Sequence, residues 1–192
     1  KSSTGYYKER SSSFHAIAEP SSSIDHIKSR LLKIKDIFLD ANHICYAYRI
    51  KRGKSLDEFA SDAGEPKGSA GAPILNVLKR RNLVNSAIFV LRRFGGTKLG
   101  IPGLVHAYGT ATTDAVENAT LKPWVQLCNL LLMYKYEVQK QVESILKQYD
   151  AIIIKQNFAE AVVTTLEARE SICKELIMRL KQATNGTIKI TN

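Results

Sequence analysis

A chain of 192 residues with 44% apolar and 24% charged residues has an ordinary globular composition, which excludes a disordered or fibrous polymer and suits one large or two small domains. No stretch approaches the ~18 apolar residues of a membrane span: the best, 125–133, is broken by Gln126 and Asn129. The polar start is expected to carry no secretion signal. A net charge of +10 points to a polyanionic partner, because Lys and Arg attract phosphates and release their counterions. A basic protein without such a partner has the same arithmetic. The three cysteines, Cys45, Cys128 and Cys173, are odd in number and far apart. Neither a disulfide framework nor a zinc site is therefore expected, and a cytoplasmic, reducing compartment fits.

Along the chain, the Ser-rich residues 1–13 read as a loose arm. Residues 13–18 suit a first strand that Pro20 ends. Ser21, Ser22 and Ser23 offer helix N-caps. Ile27, Leu31, Leu32, Ile34, Ile37 and Phe38 then recur at helical spacing. Residues 42–51 alternate, with Ile44, Tyr46, Tyr48 and Ile50 on one face and His43, Cys45, Ala47 and Arg49 on the other, the pattern of a strand. After a turn at Gly53 comes a small-residue loop, 61–71. A helix follows in which Pro73 fits the first turn. The continuous apolar run 87–91 predicts a buried strand. A second glycine loop, 95–103, leads into a helix over 104–119.

Lys122 and Pro123 mark the expected boundary between a domain over 1–120 and one over 121–192. Beyond it the pattern predicts strand, helix, two strands, helix and strand. That βαββαβ order is the ferredoxin-like arrangement, with helices on one face of an antiparallel sheet. The fold class is thus α+β in two domains.

The most informative segment is 61–74, with Gly64, Gly68 and Gly71 around Ser69. Its glycines let the backbone turn tightly and approach a ligand. It leads into a helix N-terminus, where free N–H groups and the helix dipole favour an anion. The spacing is neither that of a dinucleotide-binding loop nor that of a Walker A loop. The second loop carries Arg92, Arg93 and Lys98 around Gly95 and Gly96 and repeats the logic. Together the two loops suggest a phosphate-binding cleft; the plainer reading is that the glycines only make strand-to-helix turns. Asp62 and Glu65 offer oxygen ligands for Mg²⁺, or else cap the following loop and pair with Lys98 or Arg92. His43 offers a general base, or a hydrogen-bonded core residue. Ser69 lacks the surroundings of a nucleophile elbow. No complete catalytic set is identified, which favours binding over catalysis.

These blocks carry a resemblance. Residues 62–74, 92–100 and 103–109, preceded by His43 and the pair Ala47-Tyr48, resemble the signature blocks of the YigZ/Impact family in order and spacing. The resemblance covers roughly residues 10–119. The remainder resembles the second domain of bacterial members, which is similar to a domain of elongation factor G. It implies a first domain with a βαβ-type fold like that of a small-subunit ribosomal protein, a cytoplasmic location and a role near translation. Eukaryotic Impact relatives regulate signalling to a translation-initiation kinase, but they carry an extra partner-binding domain at the N-terminus, so that role is not expected to transfer. Four positions depart from the family pattern: Ala63 replaces an Asp, Arg93 a Tyr, His106 an Arg, and Ser13 a basic residue. The expectation is a translation-associated regulatory protein that holds RNA or ribosome phosphates through Gly64, Gly68, Ser69, Gly71, Arg92, Arg93, Gly95, Gly96 and Lys98, without a cofactor. The alternatives are an Mg²⁺-dependent enzyme acting on a phosphate ester or nucleotide with Asp62 and Glu65, and a protein–protein regulator of a translation factor.

Overall fold

In the computed structural model, which describes residues 1–53 and 55–191, the chain divides into two units, Lys1–Lys122 and Pro123–Asn192. The first unit is built on one antiparallel sheet. Its strands are β1 (Ser3–Glu9), β2 (Ser12–Pro20), β3 (His43–Arg52), β4 (Ser55–Ser61) and β5 (Ser86–Arg93), in the order β1-β2-β5-β3-β4. Helix α1 (Ile24–Ile37) links β2 to β3, α2 (Gly71–Arg80) links β4 to β5, and α3 (Gly100–Glu117) follows β5. Both β2 and β3 run antiparallel to β5. They are therefore parallel to each other, and β2–α1–β3 is a βαβ unit with β5 inserted at its centre.

The alternation of side chains decides which helix covers which face. Ile17, Ile44, Tyr48, Phe89 and Leu91 point to one side and pack on Ile27 and Ile34 of α1. Phe14, Ala16, Cys45, Ala47, Ile88 and Val90 point to the other and pack on α2 and α3, which contribute Ile74, Leu78, Leu104, Tyr108 and Ala111. The central strand β5 is covered on both faces, which is why its sequence runs apolar without alternating. Ser23 caps α1, its side chain accepting from the His26 N–H at 3.1 Å.

Two expectations are corrected here. Residues 1–13 are not a loose arm: β1 pairs with β2 along its length, through a two-residue turn in which Arg10 and Ser11 both adopt positive φ. That is the hairpin turn whose twist matches the strands. Gly5 lets β1 lie close against α3, since a Cβ there would collide with the backbone of Ala111 and Ala115. The second correction is β4, a strand formed by residues that the sequence pattern left unassigned.

In the second unit, β6 (Leu127–Tyr134), α4 (Gln139–Gln148), β7 (Ile152–Phe158), β8 (Val162–Arg169), α5 (Glu170–Ala183) and β9 (Lys189–Thr191) follow the expected βαββαβ order. The sheet order β7-β8-β6-β9 is the ferredoxin-like one. Leu130, Leu132, Tyr134, Val162 and Leu166 from the sheet meet Val142, Leu146, Leu176 and Leu180 from the helices. The cysteine expectation is overturned: Cys128 on β6 and Cys173 on α5 form a disulfide, with Cα atoms 6.8 Å apart, and Cys45 is the buried free thiol. Sequence separation concealed the pair, because only the packing of α5 on β6 brings residues 128 and 173 together. Among the described residues, no helix is long and apolar enough to cross a membrane.

Candidate functional site

The glycine loops meet where β3, β5 and α3 converge on the α2/α3 side of the sheet. Asp62, just after β4, turns its carboxylate back over its own loop. It accepts hydrogen bonds from the N–H groups of Gly68 (2.8 Å), Ala70 (3.0 Å) and Gly71 (2.8 Å). Helix α2 has no N-cap side chain; an anion supplied from eight and nine residues upstream fills that place. Burial alone would raise the Asp62 pKa, but the three N–H donors outweigh it and hold the carboxyl below its ordinary range.

This arrangement makes a pH-dependent contribution to stability. Because the folded pKa is depressed, the contribution is complete above the unfolded value of about 3.9 and is lost as pH falls through the folded value. Asp62→Ala is therefore expected to cost about 2–3 kcal/mol at pH 7, since it strands N–H donors that are partly buried. In urea unfolding, the gap from the native chain should narrow as the pH is taken well below 4. A gap that does not change with pH would show that the carboxylate charge is not what holds the loop.

Glu65 and Arg92 tie the first loop to the second. Arg92 Nη1 donates to both Glu65 oxygens, at 2.7 and 3.0 Å, and the two side chains are only 7% and 3% exposed. Tyr108 on α3 donates its hydroxyl to Glu65 Oε1 at 2.8 Å. The Cys45 thiol lies 2.9 Å from the Asp62 carbonyl and 3.3 Å from the Tyr108 hydroxyl. Burial pushes that thiol up to about 12, so it stays protonated and inert. Burial, with Cys45 and Glu65 beside it, also raises the Tyr108 phenol. The Arg92 guanidinium lies over the rings of Phe14 and Phe94, 5.6 and 5.4 Å from their centroids. Its Nε is buried and finds no hydrogen-bond acceptor among the described residues.

His43 Nδ1 lies 2.9 Å from the Ala63 carbonyl oxygen. A carbonyl only accepts, so Nδ1 carries a proton and donates it. Ala63 itself holds a positive φ of 45°, a conformation that Asp and Asn tolerate better than Ala.

The sequence-derived site residues therefore separate into two groups. Asp62, Glu65, Ser69, Gly71 and Arg92 are engaged with one another or turned inward, and Gly68, though exposed, gives its N–H to Asp62. Ser69 is fully buried and donates to the Pro66 carbonyl at 2.7 Å. The first loop supplies its own anion, and the Arg92 charge is met by Glu65. Each of the two carboxylates accepts three hydrogen bonds from the protein itself. Among the described residues, no group of three or more His, Cys, Asp or Glu is placed to hold a metal.

The second group faces outward. The second loop is pinned where it begins. Phe94 N–H donates to Asn42 Oδ1 at 2.7 Å, and Gly95 N–H to Ser12 Oγ at 3.1 Å. A Cβ on Gly95 would collide with the backbone of Ser11 and Ser12. Past this anchor, Gly96, Thr97 and Lys98 are exposed, as are Gly64, Lys67 and Gly68 at the tip of the first loop. The 18-residue α3 then starts with no capping side chain and no acidic residue in its first turn. Arg93 is half-buried and pairs with Asp40, Nη2 to Oδ1 at 3.0 Å. Of the cations that end α2, Lys79 pairs with Glu58 and Arg81 with Glu117.

The sequence reading missed Tyr108 and Cys45 as the hub of this network. Their positions on the inward faces of α3 and β3 were readable from periodicity, but nothing in that pattern says that a buried Tyr meets a carboxylate.

Comparison with known proteins matches the Impact N-terminal domain over residues 10–116 and a domain of unknown function, DUF1949, over residues 139–187. An IMPACT family member of Haemophilus influenzae is 30% identical over 161 residues, which cover 82% of this chain and 77% of that protein. The IMPACT family member YvyE of Bacillus subtilis is 43% identical over 86 residues, 45% of this chain and 39% of that protein. A crystal structure described as that of a hypothetical protein superposes with a TM-score of 0.73 at 25% identity, over 98% of this chain and 92% of the other. The first domain match takes in every signature block, and the similarity to the Haemophilus protein runs through most of the chain, so the chain belongs to the YigZ/Impact family.

Proposed function

We propose that this protein is a cytoplasmic, translation-associated regulator that binds RNA, free or within the ribosome, chiefly through its phosphates. The observation that carries the reading is the contrast between the two helix N-termini behind the glycine loops. The donors in front of α2 are used by Asp62. Those of α3 have neither a capping side chain nor an acid in the first turn, and they follow the exposed stretch Gly96-Thr97-Lys98. Such an end favours an anion, and in a chain of net charge +10 a polyanion is the fitting ligand. In this reading the first loop is a brace. Glu65 and Arg92 fix the second loop against it, and Lys98, with Lys67, meets the phosphates. Family membership supports the association with translation.

The test is binding of the full chain to structured RNA across a salt series. Arg92 is part of the brace, so the informative variant is Lys67→Ala with Lys98→Ala, both exposed side chains. Affinity should fall for all RNAs alike. The slope of log K against log salt should flatten by about 0.7–0.9 for each phosphate contact removed. An unchanged slope and affinity would remove the loops from the interface.

A further inference from the structure

On its other face, the sheet of the first unit is covered by α1 over β2, β3 and β5. The β1 end of that face is open. The pairing registers set Tyr6 beside His15, and set Ser13 between Lys8 and Arg93. Those five side chains, from three adjacent strands, thus share one face. The Tyr6 ring lies 4.6 Å from the His15 ring, tilted by 55°. Arg93 Nη1 is 3.3 Å from His15 Nε2. A guanidinium only donates, so Nε2 holds a lone pair and the imidazole is neutral. Burial and the Arg93 charge both lower the His15 pKa, with Asp40 opposing them. Asp40 also orients the guanidinium, at 2.6 Å from its Nε.

Tyr6 is 50% exposed. Its neighbour Tyr7 turns to the opposite face, packs against the main core and meets His106 edge-on at 5.6 Å. The strand therefore has one tyrosine that serves packing and one whose ring is left in water, although burying an aromatic ring is the stabilising choice. A ring pair flanked by a guanidinium, with an exposed Lys one row away, has the chemistry of a base-stacking surface beside a phosphate contact.

We propose that Tyr6, His15 and Arg93 form a stacking platform for an unpaired base of a single-stranded nucleic acid, with Lys8 on its phosphate. This rests on the RNA-binding reading above and adds a base contact on the face of the sheet opposite the glycine loops. It requires single-stranded segments, because bases stacked within a duplex do not present their faces.

The experiment measures binding of the full chain to a short uridine oligonucleotide, the matching deoxyuridine strand, a blunt RNA duplex and heparin, a polyanion without bases, at one fixed salt concentration. Tyr6→Ala should weaken single-strand binding about tenfold, while Tyr6→Phe stays within about twofold. Neither variant should alter heparin binding. Tyr6 holds β1 to α3 through its backbone N–H, which donates to Asp114 Oδ2 at 2.8 Å, so the Ala variant keeps that tie. The RNA strand should bind more tightly than the DNA strand; the reverse order overturns the RNA assignment. If Tyr6→Ala binds the single strand as the native chain does, while Lys67→Ala with Lys98→Ala weakens it, the platform is refuted and the phosphate reading survives. If the native chain binds neither strand, nor the duplex, nor heparin, the RNA-binding reading itself fails and the platform goes with it.

Discussion

Glu65→Ala is expected to destabilise the first unit by about 3–5 kcal/mol, the usual cost of stranding one member of a buried ion pair. The Arg92 guanidinium is held between Phe14 and Phe94, with its side chain 7% exposed, and already has one N–H without an acceptor. Removing Glu65 leaves that charge unpaired in an apolar setting. It also takes the acceptor from the Tyr108 hydroxyl, 2.8 Å away. Desolvation dominates such a loss, so removing both charges should cost far less than removing one. The double variant Glu65→Leu with Arg92→Met should therefore recover much of the stability lost in Glu65→Ala. Urea unfolding of the single and double variants gives the coupling directly. A single-variant loss below about 1 kcal/mol would place the pair in solvent, in the range of exposed salt bridges. The same result would return Glu65 to the list of groups able to meet an external ligand.

What the sequence disclosed and what it withheld divide along physical lines. The strands β2 and β3 and the helices were legible from periodic apolar faces, and β5 from its continuous apolar run. The two strands that escaped, β1 and β4, are the two edges of the sheet. An edge strand presents polar and charged side chains to water, as Lys8, Glu9, Asp57 and Glu58 do here, and that blunts the alternation by which a strand is recognised. At the site, Glu65 pairing with Arg92 and Asp62 capping its loop were both readable as alternatives, since opposite charges flank the glycines. The choice between them and an external anion was not readable, because it depends on which donors already have partners. Asp62 meets the start of α2 from eight and nine residues away, too far for any capping pattern in sequence. Tyr6 and His15 come together only through the register of β1 on β2, which no local pattern specifies.

Opening the Cys128–Cys173 disulfide is expected to destabilise the second unit by about 4 kcal/mol, from the chain entropy of a loop closed over 45 residues. For a unit of this size that lowers Tm by more than about 15 °C. The bond joins β6 to α5 against the core that includes Leu130, Leu176 and Leu180, so its loss should loosen the packing of α5 while the first unit, which lacks the bond, stays as it is. Amide hydrogen exchange on the full chain, with and without a thiol reductant, separates the two units. Protection should fall in β6, β8 and α5 and persist in β5. Cys128→Ala with Cys173→Ala should reproduce the reduced pattern without reductant. Alkylation under denaturing, non-reducing conditions supplies the direct control: one thiol, Cys45, should react before reduction and three after it. Three reactive thiols before reduction would mean that the purified chain carries the pair open. The second unit would then rest on its apolar core alone, as the reducing environment of a cytoplasm would require of it.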